Sequence, residues 1–202
     1  MWLSPLSNLE YLNIEFVQYP YGSAFEWLDI VEKFSSLMHL ALPSCGPPRY
    51  IPPSPSFNTN STIKIPPITF LDLSGNQLSS EVFSWILKFS STLVLVNLGS
   101  NQLQGSIPEA FGNMEFLQHF DLSYNHLEGR IPSLRNILCL QILDLSTNNL
   151  SSPLLDYQEL CVGKIVLKVP AVKRVPLPLF YATIISNIIK ANSSKKLPDM
   201  GS

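Results

Sequence analysis

At 202 residues, with 46% hydrophobic and only 14% charged side chains, the chain has the apolar content of one packed domain and an unusually uncharged polar surface. Net charge is −2, but residues 1–150 hold six Lys/Arg against twelve Asp/Glu, while residues 151–202 hold seven against three. The acidic main body argues against nucleic acid as a partner. Three cysteines cannot all pair within the chain, and none sits in a metal-binding spacing.

From the N-terminus, Leu6, Leu9, Leu12 and Ile14 open a leucine frame, with Val17 closing it. Ser23–Glu26 reads as a capping box, and Phe25, Leu28, Val31 and Phe34 follow at helical steps, predicting a short amphipathic helix. Leu37, Leu40 and Leu42 restart the frame and lead to Cys45. Residues 43–67 are proline-rich and predict a stiff, polyproline-like loop within one repeat. The frame returns at Ile68, Leu71, Leu73, Asn76 and Leu78. A second short helix is then predicted over Ser80–Phe89, with Val82, Trp85, Ile86 and Phe89 inward.

The fullest copy is Leu93, Val96, Leu98, Asn101, Leu103, Gly105, Ile107 and Pro108. It recurs as Leu117, Phe120, Leu122, Asn125, Leu127, Gly129, Ile131 and Pro132, and again as Leu140, Leu143, Leu145, Asn148 and Leu150. Glu109–Met114 and Leu134–Leu138 fill the helix slot with shorter turns. After Leu150 the register is lost, and residues 151–202 form a basic, proline-broken tail for which disorder is one reading. Ile165–Val169 and Leu179–Ile189 are each apolar enough to cover the last repeat but lack the leucine frame.

The asparagines Asn76, Asn101, Asn125 and Asn148 recur at intervals of 25, 24 and 23 residues, the period of a leucine-rich repeat. Alternation around the leucines is strand-like, and no repeat has enough apolar material to fold alone. The expected fold is an α/β repeat solenoid: a right-handed leucine-rich repeat stack with a parallel concave sheet and short convex helices or turns. About six repeats occupy residues 1–150. The four asparagines are expected to be structural, since a buried amide can bond the turn backbone. Cys45 stands in the same place and is expected to have the same kind of role.

The L-x-G-x-I-P endings at Leu103–Pro108 and Leu127–Pro132 resemble the plant-specific class of extracellular leucine-rich repeats. Trp2–Leu12 and Phe70–Leu78 resemble the receptor-like proteins that perceive a fungal ethylene-inducing xylanase. The resemblance covers about residues 1–150. It implies a defence receptor-like protein at the outer face of the plasma membrane, binding a protein or peptide and signalling through a partner receptor kinase. Met1–Glu10 does not read as a signal peptide, and the longest apolar run, Leu177–Ile189, is too short to span a bilayer. The expectation is therefore a fragment of such a receptor. Other readings are an enzyme inhibitor of the polygalacturonase-inhibitor type, a cytosolic repeat scaffold and a non-functional truncated product.

No catalytic, phosphate-binding or metal-binding pattern is present, so neither enzyme activity nor a metal or cofactor is expected. His39 and His119 fall on the outward face of strands, and His126 in a turn. Along the concave face, Phe70, Leu95, His119, Tyr124 and Ile142 depart from a polar Asp/Ser background and are the candidate binding residues. Asn60, Asn149 and Asn192 lie in glycosylation sequons.

Overall fold

The leucine frame becomes two stacked rows of parallel strands. The structure, a computed structural model, describes residues 8–14, 31, 34–46, 65–134, 136–151 and 166–168, the last three by backbone alone. All fall within one unit of the chain, Met1–Pro170. The described strands in chain order are β1 (Tyr11–Asn13), β2 (His39–Ala41), β3 (Phe70–Asp72), β4 (Leu95–Asn97), β5 (Gln104–Gly105), β6 (His119–Asp121), β7 (His126–Gly129), β8 (Ile142–Asp144), β9 (Asn149–Leu150) and β10 (Val166–Lys168).

The main sheet has the order β1-β2-β3-β4-β6-β8-β10, every neighbouring pair parallel. Its first six strands are centred on Leu12, Leu40, Leu71, Val96, Phe120 and Leu143, the centres expected from the frame, and these residues pair directly. A second parallel sheet, β5-β7-β9, runs beside it. That sheet is not anticipated by the alternation pattern. It also corrects the placement of His126, which opens β7 rather than lying in a turn. The tail segment Val166–Lys168, which has no leucine frame, pairs in parallel with Ile142–Asp144 and adds a seventh strand to the main sheet.

Between the sheets and the convex side lies a continuous core. Leu71, Leu73, Leu93, Val96, Leu98, Leu117, Leu122, Leu127 and Leu145 are wholly buried. The convex side is closed by α1 (Val82–Ile86), running into a 3₁₀ turn at Leu87–Phe89, and by a 3₁₀ helix at Glu109–Asn113. Val82, Trp85, Ile86 and Phe89 are buried, as the helical period requires, and Phe83 joins them. Phe83 meets Phe111 edge-on at 5.3 Å, and Phe111 stacks on Phe120 at 5.1 Å, so convex and concave sides share one aromatic contact chain. In the next convex slot, expected at Leu134–Leu138, the described residues form no helix, and Ile137 N–H bonds the Leu134 carbonyl at 3.0 Å. Of the expected first helix, Val31 and Phe34 are described and both are buried; the rest, like most of the proline-rich loop, lies outside the described residues.

Each repeat asparagine ties its own turn to the repeat before it. Asn101 Nδ2 donates to the carbonyls of Leu73 (3.0 Å), Leu98 (2.9 Å) and Gly99 (3.3 Å), while Oδ1 accepts from Asn76 N–H (3.0 Å) and Leu78 N–H (2.9 Å). Asn125 repeats this with Leu98, Leu122, Ser123 and Leu103, and Asn148 with Leu122, Leu145, Ser146 and Leu127. Asn76 bonds Leu42, Ser74 and Cys45. Cys45 holds the same post one repeat earlier, its single S–H placed to donate to the Ile14 carbonyl at 3.1 Å, with the Pro43 carbonyl farther off at 3.6 Å.

Two substitutions test this arrangement. Asn101→Ala leaves buried N–H and C=O groups of two repeats unmet, at about 1–3 kcal/mol each, and is expected to cost far more than the exposed neighbour Gln102→Ala. Leu122→Ala, in the middle of the core, is expected to cost about 2–5 kcal/mol. Urea unfolding followed by circular dichroism measures both; an Asn101→Ala midpoint equal to that of Gln102→Ala would refute the first.

Candidate binding surface

The concave face is built from the outward positions on either side of each strand's central residue. The position after it holds Asn13, Ala41, Asp72, Asn97, Asp121 and Asp144. At the last four of these positions the side-chain oxygen accepts the N–H two residues on and ends the strand. Asp72 bonds Ser74 N–H at 2.9 Å, Asn97 bonds Gly99 N–H at 3.0 Å, Asp121 bonds Ser123 N–H at 2.8 Å and Asp144 bonds Ser146 N–H at 3.0 Å. Such turns are the usual habit of Asp and Asn.

The position before the centre is different in kind. In-register pairing sets Tyr11, His39, Phe70, Leu95, His119 and Ile142 in one row. Strands in a sheet lie about 4.8 Å apart, so rings at matched positions must stack. Tyr11 and His39 do so at 4.0 Å with 15° between planes, and His39 and Phe70 at 3.9 Å with 13°. Leu95, His119 and Ile142 continue the row, half-buried. At the start of β3, β4 and β6 lies an open groove of about 440 Å³, lined by Thr69, Phe70, Val94, Leu95, Gln118 and His119.

Four of the candidates read from sequence, Phe70, Leu95, His119 and Ile142, therefore stand side by side. Tyr124 does not join them. It lies in the turn after β6, 61% exposed and with a left-handed backbone (φ 54°). Tyr11 and His39 extend the row and were not among the candidates, although they hold the same frame position, the signal that could have found them. Of the sequons, Asn149 is exposed on β9, while Asn60 and Asn192 lie outside the described residues. Among the described residues no cluster of His, Cys, Asp and Glu could hold a metal ion, and no helix is long and apolar enough to cross a membrane.

His39 sits in this row between two aromatic rings. Burial between its neighbours lowers its pKa below the usual 6.5, and the Asp72 carboxylate opposes that shift only in part.

The stack, its asparagine ladder and its concave sheet are those of a leucine-rich repeat protein. Residues 67–89, 92–114 and 116–136 match the Leucine Rich Repeat family model. The structure is similar to a pollen receptor kinase 3 crystal structure, with a TM-score of 0.56 and 21% identity over 84% of this chain and 78% of that one, a likeness of fold. By sequence the chain is 33% identical over 125 residues to receptor-like protein EIX1 of Solanum lycopersicum and 35% identical over 126 residues to receptor-like protein EIX2 of the same plant. Each match takes in 61% of this chain and 12% of the relative's length. Within the leucine-rich repeat class, the chain is similar to plant receptor-like proteins and spans about an eighth of their length.

A pH dependence follows from the stacked histidine. With its folded pKa below the unfolded value, His39 favours the folded state fully above about pH 6.5 and progressively less as pH falls through the folded pKa. The urea midpoint is expected to drop between about pH 7.5 and pH 5, and His39→Phe, which keeps the stack, is expected to reduce that drop. An unchanged drop in His39→Phe would contradict the assignment.

Proposed function

We propose that this chain is a ligand-binding repeat module from the ectodomain of a plant defence receptor-like protein, at the outer face of the plasma membrane. It takes a protein or peptide on its concave face and works with a partner receptor kinase, with no catalysis of its own. The observation that carries this reading is the row Phe70, Leu95, His119 and Ile142, an apolar-rich strip beside an open groove on an otherwise polar sheet. The similarity to receptor-like proteins supports it over the enzyme-inhibitor alternative.

On this reading residues 1–150 are the repeat domain and residues 151–202 a distinct basic segment that lends one strand to its sheet. Phe70, Leu95, His119 and Ile142 make the binding strip, and Tyr124 adds a contact from the neighbouring turn. Asn76, Asn101, Asn125 and Asn148 keep a purely structural role. Asn149 is exposed and open to glycosylation, with Asn60 and Asn192 as further acceptors in a secreted product.

A random peptide library displayed on phage and selected against the full chain tests the surface. Selected peptides are expected to lose about ten-fold or more in affinity, some 1.4 kcal/mol, on Leu95→Ser or Ile142→Ser. Leu138→Ser, at an exposed apolar residue away from the sheet, is expected to change nothing. Peptides bound equally by all three variants would refute the concave strip.

A further inference from the structure

Beside its apolar groove the concave face sets a carboxylate, Asp121, whose strand-ending bond does not require a charge. The strand-ending bond at the position after each centre requires only a side-chain carbonyl oxygen. Asn97 shows this directly: its neutral amide accepts Gly99 N–H at 3.0 Å, as the Asp121 carboxylate accepts Ser123 N–H at 2.8 Å. Asp144 is nearly buried, and Asp72 gives one oxygen to Ser74 and the other to Asn97 Nδ2 at 3.0 Å. Asp121 is half-exposed. It stands two residues from His119 on one strand, beside the groove that Leu95 and His119 line. The six strands from β1 to β8 in the main sheet carry no Lys or Arg to answer these charges. Lys168 on β10 is in register with Asp144, not with Asp121. Residues 1–150 as a whole are strongly acidic.

Resting on the reading of the concave face as a recognition surface, we propose that the ligand segment is basic: an extended stretch that sets an aliphatic side chain in the groove at Leu95 and His119 and a lysine or arginine against Asp121. Side chains two apart on one face of an extended chain are separated by roughly 7 Å, the same interval that separates the groove position from the Asp121 position along β6. The predicted ligand signature is therefore aliphatic-x-basic. Asp72, one strand beyond Asn97, adds to the same negative field.

The test is an amide NMR titration of the full chain with a Gly-Leu-Ser-Lys-Gly peptide, blocked at both ends, and with its Gln and Glu counterparts at the Lys position. The Lys peptide is expected to bind about two- to five-fold more tightly than the Gln peptide at low salt, and the Glu peptide more weakly than both. The preference is expected to vanish at about 1 M salt, where the screening length is about 3 Å. Asp121→Asn, which keeps the oxygen that Ser123 needs, is expected to erase the preference without moving the melting temperature. Equal binding of the Lys and Gln peptides, or a preference that survives Asp121→Asn, overturns the basic-ligand inference while leaving the groove standing. Leu95→Ser separates the two levels: it should weaken all three peptides alike. If it changes none of them, or if no peptide binds, the recognition surface itself is wrong.

Discussion

The buried side-chain amide at the end of each strand is the constraint on which the rest depends. A solenoid repeat must turn off its strand inside the molecule, where main-chain groups have no water to bond. One asparagine meets that demand for two repeats at once, donating back to the previous turn and its own and accepting from main-chain N–H groups of the previous repeat. With the vertical registration fixed there, leucines fall on leucines in the core and outward residues fall on outward residues across the sheet. The close ring stacking of Tyr11, His39 and Phe70 is a consequence of that registration rather than a separate device.

The joint accepts variation within chemical limits. Cys45 serves because a thiol can still donate to a carbonyl that an amide nitrogen would reach. The residue before each joint is held left-handed whatever its identity: Ser44, Gly75, Ser100, Tyr124 and Thr147 all have φ between 54° and 69°. For residues other than glycine that geometry costs about 1–2 kcal/mol. It persists because the N–H so presented finds a carbonyl in the next repeat, as Tyr124 N–H does with Ser146 at 2.9 Å. Gly112 marks a different limit, since a Cβ there would lie 1.9 Å from the Ser133 carbonyl oxygen of the following repeat.

What the sequence made legible follows the same physics. The six main strands could be centred to the residue because inward leucines recur at a period nothing else produces. The second sheet could not be found by alternation, since β5 and β9 are two residues long and owe their direction to turns such as that at Gly105, with φ 71°. The segment of β10 could be named only as an apolar cover for the last repeat and not as a strand, since a parallel pair is made of main-chain bonds and Val166–Lys168 needs no leucine frame to form one. On the concave face, placing Leu95 beside His119 and Ile142 needed only the register. Extending the row to His39 and Tyr11 required stacking β2 on β3 across the proline-rich stretch, where the interval from Cys45 to Asn76 lengthens to 31 residues.

The ladder also determines how the molecule bears load. In both sheets the inter-strand bonds join one strand to its spatial neighbour, and among the described residues no main-chain bond skips a repeat. Pulled along the stacking axis, such repeats act as links in series, so the tension is the same at every junction and the weakest fails first. The junction between the β1 and β2 repeats is tied by the Cys45 thiol, which donates to the Ile14 carbonyl and is a softer donor than the Asn76 amide that ties the next junction. Extension is therefore expected to begin on the β1–β2 side and leave the asparagine-tied repeats from Phe70 to Leu150 as the last element to yield.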